Sequence, residues 1–318
     1  MSNLTIVTEF FLKSFSNSWK LQLLHATLFL MIYLMALIGN VLIFTLVSLD
    51  RNLHTPMYFF LKNLSFLDLC YISVTVPKSI VNSLSHSCSI SFLGCALQVF
   101  LVVLFAAAEI SLLTVMSYDR YVAICQPLHY ETIMIKKSCV RMTAASWFSG
   151  GIIGAMYSAT TLSLPFCGSK EIHQFFCDVP SLLKISCSEK HIAVYVSFAF
   201  GACLGIFCCT SIIMSYGHIF STVLKIPTTK ARSKAFSTCL PHLIVFMVFI
   251  ITGTMDYLKP PFNSDSNLDL WLSMLYALLP PTLNPVIYSL RNRDMKISMK
   301  KFITCQYSSE GLMKMSFT

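Results

Sequence analysis

The chain has 318 residues, of which 55% are hydrophobic and 12% are charged. A soluble protein with so few charged side chains would lack the polar residues that its surface needs. The formal net charge of +9 does not require nucleic acid as a partner, because an anionic membrane leaflet accounts for it. Composition therefore excludes an ordinary soluble protein and indicates a membrane protein surrounded by lipid.

Seven apolar segments are long enough to cross a bilayer, which takes about 20 helical residues. Four apolar runs contain no Asp, Glu, Lys or Arg: 21–49, 142–169, 191–224 and 270–290. Three more carry isolated ionisable residues: 57–76 contains Lys62 and Asp68, 94–118 contains Glu109, and 235–255 contains only His242. Backbone amides in lipid must be bonded within their own segment, so the spans are expected to be helices. The predicted spans are residues 23–48, 57–80, 94–122, 140–164, 191–222, 234–257 and 268–290.

Orientation follows from the basic residues. Most of the 23 Lys and Arg residues fall on the cytoplasmic side if the N-terminus is outside, as the positive-inside rule requires. The first apolar run is too long for the core of a signal peptide. We predict one domain over 1–318, with an extracellular N-terminus at 1–22 and a cytoplasmic tail at 291–318. Asn3 begins the sequon Asn-Leu-Thr on the outer side, and we expect it to be glycosylated.

Four of the 13 cysteines are predicted to lie outside. Cys95 stands at the outer start of the third helix, and Cys167, Cys177 and Cys187 follow in the loop between helices four and five. Disulfides are reasonable in an oxidising compartment, and four cysteines allow three connectivities. A bridge from Cys95 into the loop would fasten that loop over the bundle as a roof.

Ionisable residues inside membrane helices usually face the bundle interior and mark function. Asp68 lies about 11 residues above the inner start of helix two, and Glu109 lies 11 residues before Arg120, so both are roughly 16 Å above the inner surface. Asn40 is within about one turn of that depth, and Asn284 is a turn or two below it. Two interpretations remain open for this layer: a bound cation such as sodium, or a water-filled hydrogen-bond network without an ion.

Several motifs, in chain order, resemble those of the olfactory receptor family. The most specific is MSYDRYVAIC at 116–125, at the inner end of helix three. LHTPMYFFLKNLSFLDLC precedes it at 53–70, and KAFSTCLPHL and PTLNPVIYSLRN follow at 234–243 and 281–292. The similarity covers nearly the whole chain. In detail the sequence looks most like family 14 of the class II olfactory receptors.

This resemblance implies an all-α, rhodopsin-like bundle of seven transmembrane helices with a short cytoplasmic helix after Tyr288. It implies the disulfides Cys95–Cys177 and Cys167–Cys187. It also implies a receptor, not an enzyme, in the plasma membrane of olfactory cilia. Such a receptor binds a small odorant and raises cyclic AMP through a stimulatory olfactory G protein.

The resemblance also implies a G-protein switch. Asp119 is expected to neutralise Arg120 at rest, and release of this pair would let the guanidinium meet Tyr216 and an incoming G-protein helix. The alternative for Arg120 is an ordinary cytoplasmic anchor. The residues predicted for the switch are Asp119, Arg120, Tyr121, Tyr216, Asn284, Pro285 and Tyr288.

The ligand pocket is estimated from position in the outer half of the bundle. Val102 stands where amine receptors carry an aspartate, which favours small, uncharged volatile ligands. An apolar pocket discriminates poorly between homologues, so broad tuning is expected. The alternative for each lining residue is helix packing. The predicted lining residues are Val102, Val103, Ala106, Ala107, Phe200, Cys203, Leu204, Phe249, Ile250, Gly253 and Tyr276.

Three positions depart from the family pattern. Ile250 and Ile251 replace a common Tyr-Gly pair, and Gln174 replaces a histidine that has been invoked for metal binding in many relatives. His173 stands next to Gln174, so assistance by copper or zinc stays open as an alternative. We predict no metal, and no cofactor other than the candidate sodium ion between Asp68 and Glu109.

Three other functions are less well supported. A receptor of the same fold for a nonvolatile ligand outside the nose is the main alternative. An ion transporter is disfavoured because the sequence has no visible inverted repeats. A membrane enzyme is disfavoured because no zinc-protease, nucleophile-elbow or phosphate-loop motif is present.

Overall fold

A computed structural model describes residues 8–12, 18–84, 89–167, 170–172, 174–188, 192–257, 266–291, 294–302 and 304. Over these residues, seven long α-helices form the bundle, and three short α-helices lie in the connecting segments and after the last long helix. Two short 3-10 helices, Arg51–Leu53 and Pro127–His129, lie in the connections as well. In chain order the helices are α1 (Trp19–Leu49), α2 (Pro56–Leu84), α3 (Phe92–Cys125), α4 (Tyr130–Ile133), α5 (Lys136–Leu162), α6 (Val179–Lys184), α7 (Ile192–Leu224), α8 (Thr229–Tyr257), α9 (Ser266–Arg291) and α10 (294–302).

The predicted fold class, an all-α bundle of seven membrane helices, is confirmed. The seven predicted spans coincide with α1, α2, α3, α5, α7, α8 and α9, but most of these helices are longer than predicted. The start of α8, for example, is Thr229 instead of residue 234. Its first two turns contain Lys230, Arg232 and Lys234. A search for apolar runs misses these turns, because the helix continues past the hydrocarbon into water.

Five of the long helices are apolar enough to cross a membrane by length and composition alone: α1, α2, α3, α7 and α8. The other two, α5 and α9, are more polar, and α9 contains Pro280, Pro281 and Pro285. Both pack against the apolar helices, α5 against α3 and α7, and α9 against α1, α2 and α8. Neighbouring helices therefore cover the polar groups that α5 and α9 carry into the membrane.

A close seam joins α3 to α5. A β-carbon on Gly154 would lie 2.7 Å from the Phe100 carbonyl oxygen, and one on Gly150 would overlap the Leu104 carbonyl oxygen. Glycines four residues apart let two helix backbones approach closely, which is a common way to join membrane helices. This seam fixes α3, the helix that carries most of the predicted functional residues.

A small sheet covers the outer end of the bundle. Strand β1 (Glu9–Leu12) pairs antiparallel with β2 (Ser89–Ser91) and parallel with β3 (Glu171–Ile172). Phe10 of β1 is fully buried. Residues 1–22 were predicted only as an extracellular N-terminus, and β1 was not predicted, because four residues are too few to show a reliable alternation.

Two disulfides fix the long outer loop between α5 and α7. Cys95 at the start of α3 is bonded to Cys177, and Cys167 is bonded to Cys187. The backbone N–H of Cys177 also donates to Gln98 Oε1 over 2.9 Å. These are the pairs that the family resemblance implied, and they hold the long outer loop over the bundle.

Candidate functional site

A cavity of about 500 Å³ lies in the outer half of the bundle, among α3, α5, α7, α8 and α9. None of its lining residues is charged, and most are apolar. The residues that were predicted to line a pocket and do line this cavity are Val103, Ala106, Ala107, Leu204, Phe249, Gly253 and Tyr276.

Four predicted lining residues lie elsewhere. Phe200 is 56% exposed on the outside of the bundle, and Cys203 is also exposed. Val102 is buried among the core residues, and Ile250 packs against the same core. Successive residues of a helix differ by about 100° in direction, so position along α7 alone did not reveal that Phe200 and Cys203 point away from the cavity.

Tyr157 of α5 also lines the cavity and was missed. Its side chain is 8% exposed, and no hydrogen bond of its hydroxyl is found in the described part of the chain. The ring lies against Gly201, where a β-carbon would overlap the hydroxyl and lie 3.1 Å from Cζ. A tyrosine near the outer end of a predicted span was the only sequence signal for this residue.

The polar layer is built around one amide. Asn284 Nδ2 donates to Asp68 Oδ1 at 3.2 Å, to Asp68 Oδ2 at 3.0 Å and to Glu109 Oε1 at 3.2 Å. All three side chains are buried. Asn284 therefore lies in the layer, not a turn or two below it. The depth estimate was wrong because it assumed that the helices end at one common depth.

Asn40 has a different role from the one predicted. Its Nδ2 donates to the carbonyl oxygens of Pro281, at 2.8 Å, and Ala36, at 3.0 Å. Pro285 lacks the N–H that would normally bond the Pro281 carbonyl four residues earlier. Asn40 thus satisfies a carbonyl that the proline leaves free, and its amide group does not donate to the two carboxylates.

The inner end of α3 carries a paired arginine. Arg120 forms an ion pair with Asp119, and its Nε donates to Asp119 Oδ2 at 3.1 Å. The hydroxyl of Tyr130 in α4 donates to Asp119 Oδ1 at 2.8 Å. Burial raises the pKa of Tyr130, so the phenol stays neutral and remains a donor. The structure thus shows the neutralised pair that was expected for the resting switch.

Tyr216 is held by a histidine in this arrangement. Its hydroxyl lies 2.9 Å from His242 Nδ1, and His242 Nε2 lies 2.9 Å from the Leu113 carbonyl oxygen. A carbonyl only accepts, so Nε2 must carry the proton, and Nδ1 of the neutral ring accepts from Tyr216. His242 was missing from the predicted switch, although it is the only His, Asp, Glu, Lys or Arg residue in the apolar run 235–255.

The comparisons with known proteins agree with this geometry. A family model described as "Olfactory receptor" matches residues 29–306. The chain belongs to the olfactory receptor family. It is 59% identical to Olfactory receptor 14A2 of Homo sapiens over 311 residues, which cover 98% of this chain and 99% of that protein.

Two further human relatives point to the same branch of the family. Olfactory receptor 14A16 is 56% identical and Olfactory receptor 14K1 is 54% identical, with 95% and 99% of this chain covered and 98% and 100% of those proteins. The resemblance to family 14 is confirmed, and the chain is a receptor instead of an enzyme.

The other predicted positions of the receptor are placed as follows. The hydroxyl of Tyr121 accepts from Gln126 Nε2 at 3.2 Å. Tyr288 is buried, and its hydroxyl has no partner among the described residues. Gln174 is buried, whereas Asn3 and His173 lie outside the described residues.

Within the described ranges, no group of three or more His, Cys, Asp or Glu side chains is arranged to hold a metal ion. That no metal is required stays a prediction from the sequence.

Proposed function

We propose that this olfactory receptor binds small, uncharged, mostly apolar odorants in the outer cavity and activates a stimulatory olfactory G protein, which raises cyclic AMP. We place it in the plasma membrane of olfactory cilia, with the N-terminus outside and a glycan on Asn3. The observation that carries the ligand class is the uncharged lining of the cavity, since a buried ligand charge would have no partner there.

The cavity suggests one polar contact for the ligand. The Tyr157 side chain is 8% exposed, and its hydroxyl is a lining group without a hydrogen-bond partner among the described residues. A buried hydroxyl is stabilised by a hydrogen bond. We therefore expect good agonists to combine an apolar body with one hydrogen-bonding atom, as alcohols, ketones and esters do.

The proposed signal runs along α3 and α8. Val103 and Ala106 of α3 and Phe249 of α8 line the cavity, while the resting bonds of Arg120 and Tyr216 lie at the inner ends of the bundle. A ligand shifts the receptor only if it binds the active arrangement more tightly. Activation would then separate Arg120 from Asp119 and Tyr216 from His242, which frees both side chains for the G protein.

The polar layer is a proposed sodium site. Asp68 and Glu109 offer carboxylate oxygens, and the amide oxygen of Asn284 has no partner among the described residues. Oxygen ligands suit a hard cation, and a positive ion would balance two buried carboxylates. We expect sodium to raise the thermal stability of the wild-type receptor and to have a smaller effect on Asp68→Asn. An equal sodium effect in both proteins would contradict this site.

The function is tested with the full-length receptor, the olfactory stimulatory G protein and a cyclic-AMP reporter. A broad odorant panel is screened on the wild-type receptor and on Arg120→Ala at matched surface level. Arg141→Ala, an exposed position in α5, is the matched control. We expect odorant responses that disappear in Arg120→Ala and persist in Arg141→Ala. Responses that survive in Arg120→Ala would overturn the proposed switch, and silence of the displayed wild-type receptor across the panel would contradict the proposed ligand class.

A further inference from the structure

A second cavity, of about 580 Å³, lies at the cytoplasmic end of the bundle. It is bounded by the end of α1, the starts of α2 and α5, and the connection between α1 and α2. One side is apolar and includes Val47, Leu53 and Phe59. The other side carries Lys62 and Lys136 with His54, and no Asp or Glu is among the lining residues. The proposed odorant function does not use this cavity.

Lys62 is the unusual member of this group. It lies six residues into α2, about 9 Å along the helix from its start, and therefore within the predicted membrane span. Its ammonium group lies 4.5 Å from the centroid of the Phe44 ring, which offers a modest cation–π attraction. No carboxylate pairs with it in the part of the chain that the structure describes. A lysine at this depth is costly, so an anionic partner would stabilise it.

The two sides of the cavity match the two parts of a phospholipid. The inner leaflet is rich in anionic lipids, and basic pockets between helices at the cytoplasmic side bind phosphorylated headgroups. The apolar side would contact acyl chains, which a soluble phosphate lacks. We propose that this cavity binds a phosphoinositide of the inner leaflet, with its phosphates at Lys62 and Lys136 and its acyl chains against Val47 and Phe59.

The site adjoins the resting switch. Met134 lines the cavity, and its backbone N–H donates to the Tyr130 carbonyl oxygen at 2.8 Å. The Tyr130 side chain in turn donates to Asp119. A lipid in the cavity would therefore contact the loop that holds the Asp119–Arg120 pair. Because it would bind the folded loop, the lipid is expected to raise the melting temperature of the receptor.

The test uses purified full-length receptor in detergent, with a short-chain phosphatidylinositol bisphosphate as the probe. Binding is followed by native mass spectrometry. The variant is Lys62→Gln with Lys136→Gln. The control is Lys296→Gln with Lys300→Gln, which removes the same charge from exposed positions of α10. We expect the first pair to weaken binding roughly thirtyfold, since each surface lysine contributes appreciably to anionic lipid binding, and the control pair to change it much less.

Three results would overturn the proposal. Equal weakening by both pairs would indicate attraction by net charge alone. Equally tight binding of the soluble inositol phosphate without acyl chains would indicate a site for free anions. Unchanged binding by Lys62→Gln with Lys136→Gln would exclude the cavity. If that pair fails to fold, Lys136→Gln alone is used, because Lys136 is exposed and its loss should leave the fold intact while still weakening binding severalfold.

Discussion

The polar groups at the inner end of α3 are hydrogen-bonded to one another, unlike those of the outer cavity. At the inner end Asp119 is bonded to both Arg120 and Tyr130, and Tyr216 is bonded to His242. In the outer cavity the lining is largely apolar, and the hydroxyl of Tyr157 has no partner among the described residues. The inner end of α3 is thus held in one arrangement by specific bonds, whereas the outer cavity keeps room and one hydrogen-bonding group for a ligand.

Substitutions at the two sites should therefore have different effects. A residue of the inner half acts through a named partner, so its loss should change stability or basal signalling without any ligand. A residue of the outer cavity has few such partners, and its loss should change the response to odorants while the fold persists.

The largest effect is expected at the polar layer. Asn284→Ala removes the donor shared by Asp68 and Glu109 and leaves two buried carboxylates without it. The expected cost is about 3 kcal/mol of unfolding free energy, measured by thermal unfolding and surface expression. Asn63→Ala is the control, because Asn63 bonds only a carbonyl of its own helix, that of Phe59. Equal stability of the two variants would contradict a central role for Asn284.

A smaller effect is expected at the seam that supports both halves. Gly150→Ala would push a methyl group into the backbone of α3 at Leu104, and overpacking costs about 2 kcal/mol. Gly151→Ala is the matched control, since a β-carbon there meets nothing within 4 Å and should gain a little helix propensity. A melting temperature that does not fall in Gly150→Ala would show that α5 moves away from α3 without cost.

The next prediction concerns the hydrogen bond from Tyr130 to Asp119 of the Asp119–Arg120 pair. Tyr130→Phe removes one of the hydrogen bonds of Asp119, at 2.8 Å, and a bond to a charged group contributes about 1.5 kcal/mol. Basal cyclic AMP without odorant should rise severalfold at matched surface level. Tyr195→Phe, on the exposed outer part of α7, should leave it unchanged. A fall in basal signalling would mean that Tyr130 supports the active arrangement instead.

The smallest effect is expected in the outer cavity. Tyr157→Phe should weaken agonists that carry a hydroxyl or carbonyl by about 1 kcal/mol, or roughly fivefold in half-maximal concentration. Agonists without a hydrogen-bonding atom should be unaffected, and so should the melting temperature. Gly201→Ala, which crowds the Tyr157 ring, should alter the same responses, whereas Gly217→Ala, with open space around it, should not. Equal weakening of both ligand classes would argue that Tyr157 only packs.

The sequence by itself determined the class of fold, because seven apolar runs in a chain of this composition can be satisfied only as membrane helices. It also identified the Asp68–Glu109 layer, since ionisable residues in apolar spans are rare and usually mark function. The Asp119–Arg120 pair was predicted from the resemblance of MSYDRYVAIC to the family.

Which apolar residues face the cavity depends on how the helices pack, and the sequence did not reveal it. Leu204 faces the cavity and Phe200 does not, yet both are hydrophobic residues of the same helix. The tertiary structure also decided which partner each polar group finds: Asn40 serves the Pro281 carbonyl, and Tyr216 is bonded to His242. Hydrophobicity has no direction and does not distinguish a lining side chain from a packed one, whereas a hydrogen bond depends on distances across helices that are far apart in the chain.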